Sequence, residues 1–162
     1  MSKVVIFGNS GSGKSTFATE LALKSQLAHL DLDTIAWKAS KTPERQTIVE
    51  SSQSINDFLS TNSAWVIEGC YSDLLELVTK QADEVIFLNL PVSACIENAK
   101  NRPWEPHKYE NKKAQDANLE MLIGWISQYT SRTDTFSKVA HEKLFGDFQG
   151  NKTMYVSNEH RT

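Results

Sequence analysis

Cysteine is scarce in this chain of 162 residues: there are two, Cys70 and Cys95, far apart and outside any Cys-x-x-Cys pattern. That excludes a disulfide scaffold and a cysteine zinc module. Four prolines and seven glycines leave no low-complexity tract, internal repeat or domain linker, so the length reads as one domain over 1–162. Long apolar runs are also missing. The best of them, Val4–Phe7 and Val85–Leu88, fall far short of the ~18 residues that a membrane-crossing helix requires. Neither sign of charge dominates, with Lys plus Arg at 17, Asp plus Glu at 20 and a net charge of −3. A slightly acidic chain makes a poor general nucleic-acid binder, and only a local basic patch speaks for one. No targeting layout precedes the first strand-like run, so the expectation is a soluble protein of the cytoplasm with no membrane partner.

What is present is an alternation of short apolar runs with helical patterns, the signature of βαβ units and a parallel sheet. Strands are expected near residues 4, 29, 65, 86 and 155. Thr42-Pro43 reads as the cap and first turn of a helix with Ile48, Ile55, Phe58 and Leu59 on its apolar face. Residues 102–116 carry two prolines, no apolar periodicity and a local excess of base, and read as a mobile surface loop. Leu119, Leu122, Ile123 and Ile126 mark one later helix, and Phe136, Val139, Ala140 and Leu144 another.

The strongest signal is Gly8-Asn9-Ser10-Gly11-Ser12-Gly13-Lys14-Ser15, a full match to GxxxxGK[ST] that follows a buried strand and opens a helix. Glycines let such a backbone curl until consecutive N–H groups face a polyphosphate. The helix N-terminus and the Lys14 ammonium add positive charge, and the Ser15 hydroxyl is a ligand for Mg²⁺. Gly8 to Ser15, with Thr16, are therefore expected to bind a nucleoside triphosphate, with ATP and Mg²⁺ as cofactors. No GxGxxG is present, which argues against a dinucleotide. Ligands of doubly wound sheets sit beyond the strand ends, where this chain has Asp31, Asp33, Glu68 and Asn89.

The phosphate loop, Asp33-Thr34-Ile35-Ala36-Trp37-Lys38, Trp65-Val66-Ile67-Glu68-Gly69-Cys70-Tyr71 and Val85-Ile86-Phe87-Leu88-Asn89-Leu90-Pro91 occur in a familiar order. Over roughly residues 3–157 the chain resembles the P-loop kinase-like DNA topology modulation proteins, relatives of adenylate and shikimate kinases. The resemblance implies a three-layer α/β P-loop NTPase fold with a five-stranded parallel sheet. It also implies a nucleoside-monophosphate-kinase-like core, an acceptor-binding helical region near 37–62 and a lid near 102–132. Two positions depart from the pattern: Glu68 and Asn89 stand where those proteins usually carry Asp.

On this reading Lys14, Asp33, Glu68, Arg102 and Arg132 are the catalytic candidates. Glu68 reaches Mg²⁺ through water, with Ser15 as its companion at the metal, or steers the acceptor. Asp33 accepts a proton from an acceptor hydroxyl or orients it, and Asp31 holds the metal's water shell. Arginine is confined to Arg45, Arg102, Arg132 and Arg161. Arg102 and Arg132 are expected to close from the lid on the γ-phosphate, and Arg45 to sit on the first turn of the acceptor-side helix. Asp31, Asp33, Trp37 and Arg45 are the substrate-binding set. Trp65 and Trp125 read as core, and Lys108, Lys112 and Lys113 as a solvated face. His29, His107, His141 and His160 show no metal-ligand spacing and read as structural or exposed. Ser157 to His160 fall where the related kinases place an adenine-binding loop.

Two functions stand against each other. One is Mg-ATP-dependent phosphoryl transfer to a small acceptor. The other is an ATP-dependent switch that modulates DNA topology or a protein partner with little kinase activity. With so few cations left for the acceptor side, a neutral or singly charged acceptor is favoured over a nucleoside monophosphate.

Overall fold

Residues 2–38, 44–106 and 108–159 are described by the structure, a computed structural model. The five apolar runs form five strands: β1 (Lys3–Gly8), β2 (Ala28–Asp31), β3 (Trp65–Gly69), β4 (Glu84–Leu88) and β5 (Asn151–Tyr155). They pair in the order β2-β3-β1-β4-β5, every pair parallel. The helices are α1 (Lys14–Ser25), α2 (Asp33–Ala36), α3 (Ile48–Thr61), α4 (Ser72–Thr79), α5 (Val92–Lys100), α6 (Lys112–Ala117), α7 (Leu119–Ser127) and α8 (Lys138–Asp147). The expected strand positions and the parallel α/β architecture are all found.

Side chains alternate across each strand, and this sorts the core into two clusters. Val5, Phe7, Trp65, Ile67, Val85 and Phe87 pack against Ile55 of α3, Leu74 and Val78 of α4 and Leu144 of α8. Val4, Ile6, Val66, Ile86 and Leu88 pack against Ala18 of α1, Cys95 and Ala99 of α5 and Ile126 of α7. Helices thus cover both faces, which is why the central strands read as continuous apolar runs.

The acceptor-side helix begins later than expected. Thr42 and Pro43 lie outside the described residues, and residues 44–47 are not helical. The cap is Thr47, whose hydroxyl accepts from the Glu50 N–H at 3.1 Å while the Glu50 carboxylate accepts from the Thr47 N–H. This reciprocal pair satisfies two of the helix's orphan donors. Arg45 therefore precedes α3 and bridges antiparallel to Trp37.

The chain leaves β1 for the edge strand β2, returns to β3 beside β1, then crosses to β4 on the other side. Connections diverge around β1, and a crevice opens beyond its carboxyl end.

Candidate active site

The phosphate loop fills that crevice between β1 and α1. Gly11 has φ +79°, and a Cβ there would lie 2.4 Å from the Cys95 carbonyl oxygen, so no other residue fits. Gly13 has φ +92° and caps α1. The Asn9 carbonyl accepts from the Lys14 ammonium at 2.7 Å and from the Ser12 N–H at 3.1 Å. Two carboxamides tie down the outer rim: Asn98 donates to the Gly11 carbonyl at 2.8 Å and Asn158 to the Ser12 carbonyl at 3.1 Å. Asn98 also donates to Asn158 at 2.8 Å. These bonds fix the backbone of a loop of the kind that presents consecutive N–H groups to an anion. Ser10, Gly11, Gly13, Lys14, Ser15 and Thr16 line a cleft of about 410 Å³. Gly8 ends β1 behind them, and Asn9 and Ser12 are buried, with the Asn9 amide donating to the Ile126 carbonyl of α7.

Strand alternation then decides which carboxylates meet the loop. Val66 of β3 packs on the α1 side, so Glu68, two residues on, faces α1 as well. In the parallel register Asp31 of β2 lies opposite Glu68 and His29 opposite Val66. Glu68 is buried, and its Oε2 accepts from the Ser15 hydroxyl at 2.8 Å and lies 3.0 Å from His29 Nε2. Ser15 and Glu68 are hard oxygen donors beside the phosphate loop, a donor set that suits Mg²⁺, which is commonly held by one or two carboxylates plus substrate phosphates and waters. No cluster of three or more His, Cys, Asp or Glu able to hold a metal occurs among the described residues. The protein would therefore supply part of the shell, and nucleotide and water the rest.

A second acidic group stands at the end of β2, the strand beside β3. Asp31 accepts from the Asp33 N–H at 2.9 Å. Asp33, at the head of α2, accepts from the Tyr71 phenol through Oδ1 and from the Lys108 ammonium through Oδ2 at 2.7 Å. Lys108 also lies 3.5 Å from Asp31 Oδ2 and 3.6 Å from Glu105 Oε2. Burial raises the Asp31 carboxyl, and the nearby Glu68 and Asp33 charges raise it further. Burial acts the same way on Asp33, but the Lys108 charge and the hydrogen bonds from Lys108 and Tyr71 outweigh it and hold Asp33 below the usual range. Lys108 itself is kept protonated, because Asp33 and Asp31 overcome the effect of burial. Burial, with Cys70 and the Asp33 carboxylate adding to it, raises the Tyr71 phenol, which therefore stays a donor.

Lys108 does not belong to a solvated face, as its sequence context led us to expect; it is mostly buried and lines the cleft. Lys112 does face solvent, paired with Asp116. The segment over the cleft is also less bare than a mobile loop. Gln115 of α6 donates to the Pro103 carbonyl at 3.0 Å and accepts from the Glu105 N–H at 2.8 Å. Farther on, α7 packs into the core through Ile126, Leu119 and Leu122.

The remaining candidates divide. Arg102 lines the cleft and pairs with Glu105 at 3.1 Å. Trp37 donates its indole N–H to the Tyr71 phenol at 2.8 Å. Arg45 lies over the Tyr71 ring at 4.9 Å and pairs with Asp73 at 3.3 Å. Arg132 stacks 3.6 Å from the Trp125 ring centre and is bidentate to Asp134. It is not among the residues lining the cleft. Trp65 is in the core, whereas Trp125 is only half-buried beneath that guanidinium. Burial raises the Cys70 thiol to about 12, which keeps it un-ionised. His107, His160 and Arg161 lie outside the described residues. Sequence reasoning missed Tyr71, Lys108, His29 and Asn98 as members of the site, and it named Asn158 only within the expected adenine-binding tail.

No family model matches the chain. It is similar to the uncharacterized protein YqaC of Bacillus subtilis (strain 168), 26% identical over 157 residues, covering 88% of this chain and 81% of that protein. The crystal structure of TT1252 from Thermus thermophilus superposes with a TM-score of 0.54 at 14% identity, covering 96% of this chain and 88% of that one. The likeness is one of fold. With its parallel five-stranded sheet, the chain has the three-layer α/β architecture of the P-loop NTPases, compatible with nucleotide binding. No described helix is long and apolar enough to cross a membrane.

Proposed function

We propose that the protein transfers the γ-phosphoryl group of ATP to a hydroxyl of a small acceptor. The observation that carries this reading is one cleft lined both by the phosphate loop with its Ser15–Glu68 pair and by the Asp33–Lys108 pair. A pure binding switch has no need of a carboxylate held ionised opposite a phosphate site.

Lys14 and the loop amides hold the β- and γ-phosphates, and Arg102 adds charge from the overlying segment as it spreads in the transition state. Mg²⁺ held by Ser15 and Glu68 would neutralise part of the phosphate charge. Asp33 takes the proton of the acceptor hydroxyl as that oxygen bonds to the γ-phosphorus. The bond from that phosphorus to the bridging oxygen breaks, and its electron pair leaves with ADP. Asp31, Trp37 and Arg45 shape the acceptor side, and Arg132 braces the segment from its Trp125 stack.

ADP release with Mg-ATP, compared across AMP, CMP, UMP, nucleosides, sugars and small hydroxy acids, tests the reading. Acceptor-dependent release is expected, slower with monophosphates than with uncharged acceptors. Tight ATP binding with no release for any acceptor would overturn it and favour an ATP-dependent switch acting on DNA or a protein partner.

A further inference from the structure

We propose that Asn98 of α5 reads the nucleobase of the bound triphosphate. Its Oδ1 accepts a hydrogen bond from an exocyclic amine, so that the cleft takes adenine in preference to a 6-oxopurine. The proposal rests on the nucleotide-binding half of the phosphoryl-transfer reading and names the nucleotide that this site takes.

The argument starts from two backbone carbonyls of the phosphate loop. A carbonyl oxygen only accepts, so each one sets the orientation of the carboxamide beside it. The Ser12 carbonyl takes the Asn158 amide N–H at 3.1 Å, which turns Asn158 Oδ1 toward Asn98. Asn98 Nδ2 donates to that oxygen at 2.8 Å and to the Gly11 carbonyl at 2.8 Å. Both of its hydrogens are then used. Flipping the Asn98 amide would set Oδ1 against two acceptors, so its orientation is fixed.

These two donated bonds complete a brace for the loop, and Oδ1 is left over. It accepts no hydrogen bond among the described residues. It is not one of the buried side-chain atoms that lack a partner, so solvent reaches it. Asn98 lines the same cleft as Gly11, Lys14 and Ser15. An acceptor held in one direction at a ligand cleft is preorganised to meet a donor there.

The strand order decides which part of the nucleotide meets it. Glu68 and Asp33 lie on the β3 and β2 side of β1, and with Ser15 they define the γ-phosphate end. In contrast, α5 follows β4 and Asn158 follows β5, on the other side of β1. A triphosphate whose last phosphate lies at Glu68 and Asp33 sends its nucleoside toward α5 and the tail. There the 6-amino group of adenine finds a fixed acceptor. The 6-oxo group of guanine or hypoxanthine would set acceptor against acceptor.

The test is calorimetric titration of the protein, with Mg²⁺ and no acceptor, by ATP, dATP, ITP and purine riboside triphosphate, which lacks only the amine. Wild-type protein should bind ATP about three- to tenfold more tightly than purine riboside triphosphate, and about tenfold or more tightly than ITP. It should bind dATP as it binds ATP. Asn98→Ala should weaken all four, because the loop loses its brace, and should abolish the preference for the amine. Asn158→Ala, which leaves Asn98 tied to Gly11, should keep that preference; a brace alone would weaken every nucleotide equally in both variants. Equal wild-type affinity for ATP and purine riboside triphosphate overturns the proposal, as does a preference that survives Asn98→Ala. A loss confined to dATP would assign Oδ1 to the ribose and overturn it too. ADP release separates the two readings. Acceptor-dependent release with no preference among bases keeps phosphoryl transfer and removes the base contact. A preference abolished by Asn98→Ala, without ADP release for any acceptor, keeps the base contact and removes phosphoryl transfer.

Discussion

The Ser15 hydroxyl donates to Glu68 Oε2 at 2.8 Å, joining the first turn of α1 to the end of β3. Ser15 follows Lys14 of the phosphate-loop motif, and Glu68 is buried on the strand next to β1. A hydroxyl and a carboxylate so placed would supply two oxygen donors to a divalent cation bound with a nucleotide.

Glu68→Gln retains the size of the side chain and removes its charge. Turnover is expected to fall about a hundredfold or more, while ATP affinity measured without metal changes little, because Lys14 and the loop amides hold the phosphates. Unchanged turnover would reduce Glu68 to a strand-end residue that orients Ser15 and His29.

Two glycines give opposite expectations for the same substitution. Gly11→Ala places a methyl group 2.4 Å from the Cys95 carbonyl oxygen at φ +79°, and should cost about 1–3 kcal/mol in strain. Gly124 lies in α7, and a methyl group there meets nothing within 4 Å. Gly124→Ala should stabilise by about 0.5–1 kcal/mol through helix propensity. Urea unfolding of both variants checks the pair, and Gly11→Ala alone should lose ATP binding.

His141 sets an acid limit on stability. Its Nε2–H donates to the Cys70 carbonyl at 2.8 Å, so Nδ1 accepts the Tyr129 phenol at 2.7 Å, and the ring is neutral. Burial lowers its pKa from 6.5 to about 4. The unfolded chain takes up this proton near pH 6.5 and the folded chain resists until about pH 4. Above that window the residue adds no pH dependence. Below it, stability has dropped by on the order of 3 kcal/mol. Urea unfolding free energies measured between pH 7 and pH 4 should show this loss, and His141→Gln should flatten it. The same slope in both proteins would assign the loss to other groups.

The fold and the phosphate loop were legible because their signals are local. Val4–Phe7 and Val85–Leu88 announce buried strands by continuity, and Gly8–Ser15 is contiguous. Lys108 was not legible, since it comes from a proline-punctuated basic stretch and its partners Asp31 and Asp33 are brought to it only by the fold. The late start of α3 was legible in principle. Thr47-x-x-Glu50 is a capping-box signature, but Thr42-Pro43 offers a competing start signal, and Arg45 was misplaced with it. The meeting of Glu68 with His29 and Asp31 depends on the β2–β3 register, which no single segment encodes.

Following the γ-phosphoryl label of ATP through a single turnover tests the central claim most directly. With Mg²⁺ and a hydroxyl acceptor present, the account predicts that the label moves into an acceptor phosphoester. Asp33→Asn should abolish that transfer while leaving ATP binding within about threefold of wild type, since on the proposed reading Asp33 serves the acceptor hydroxyl and the phosphate loop holds the nucleotide. Label recovered only as inorganic phosphate, or transferred equally well by Asp33→Asn, would contradict it.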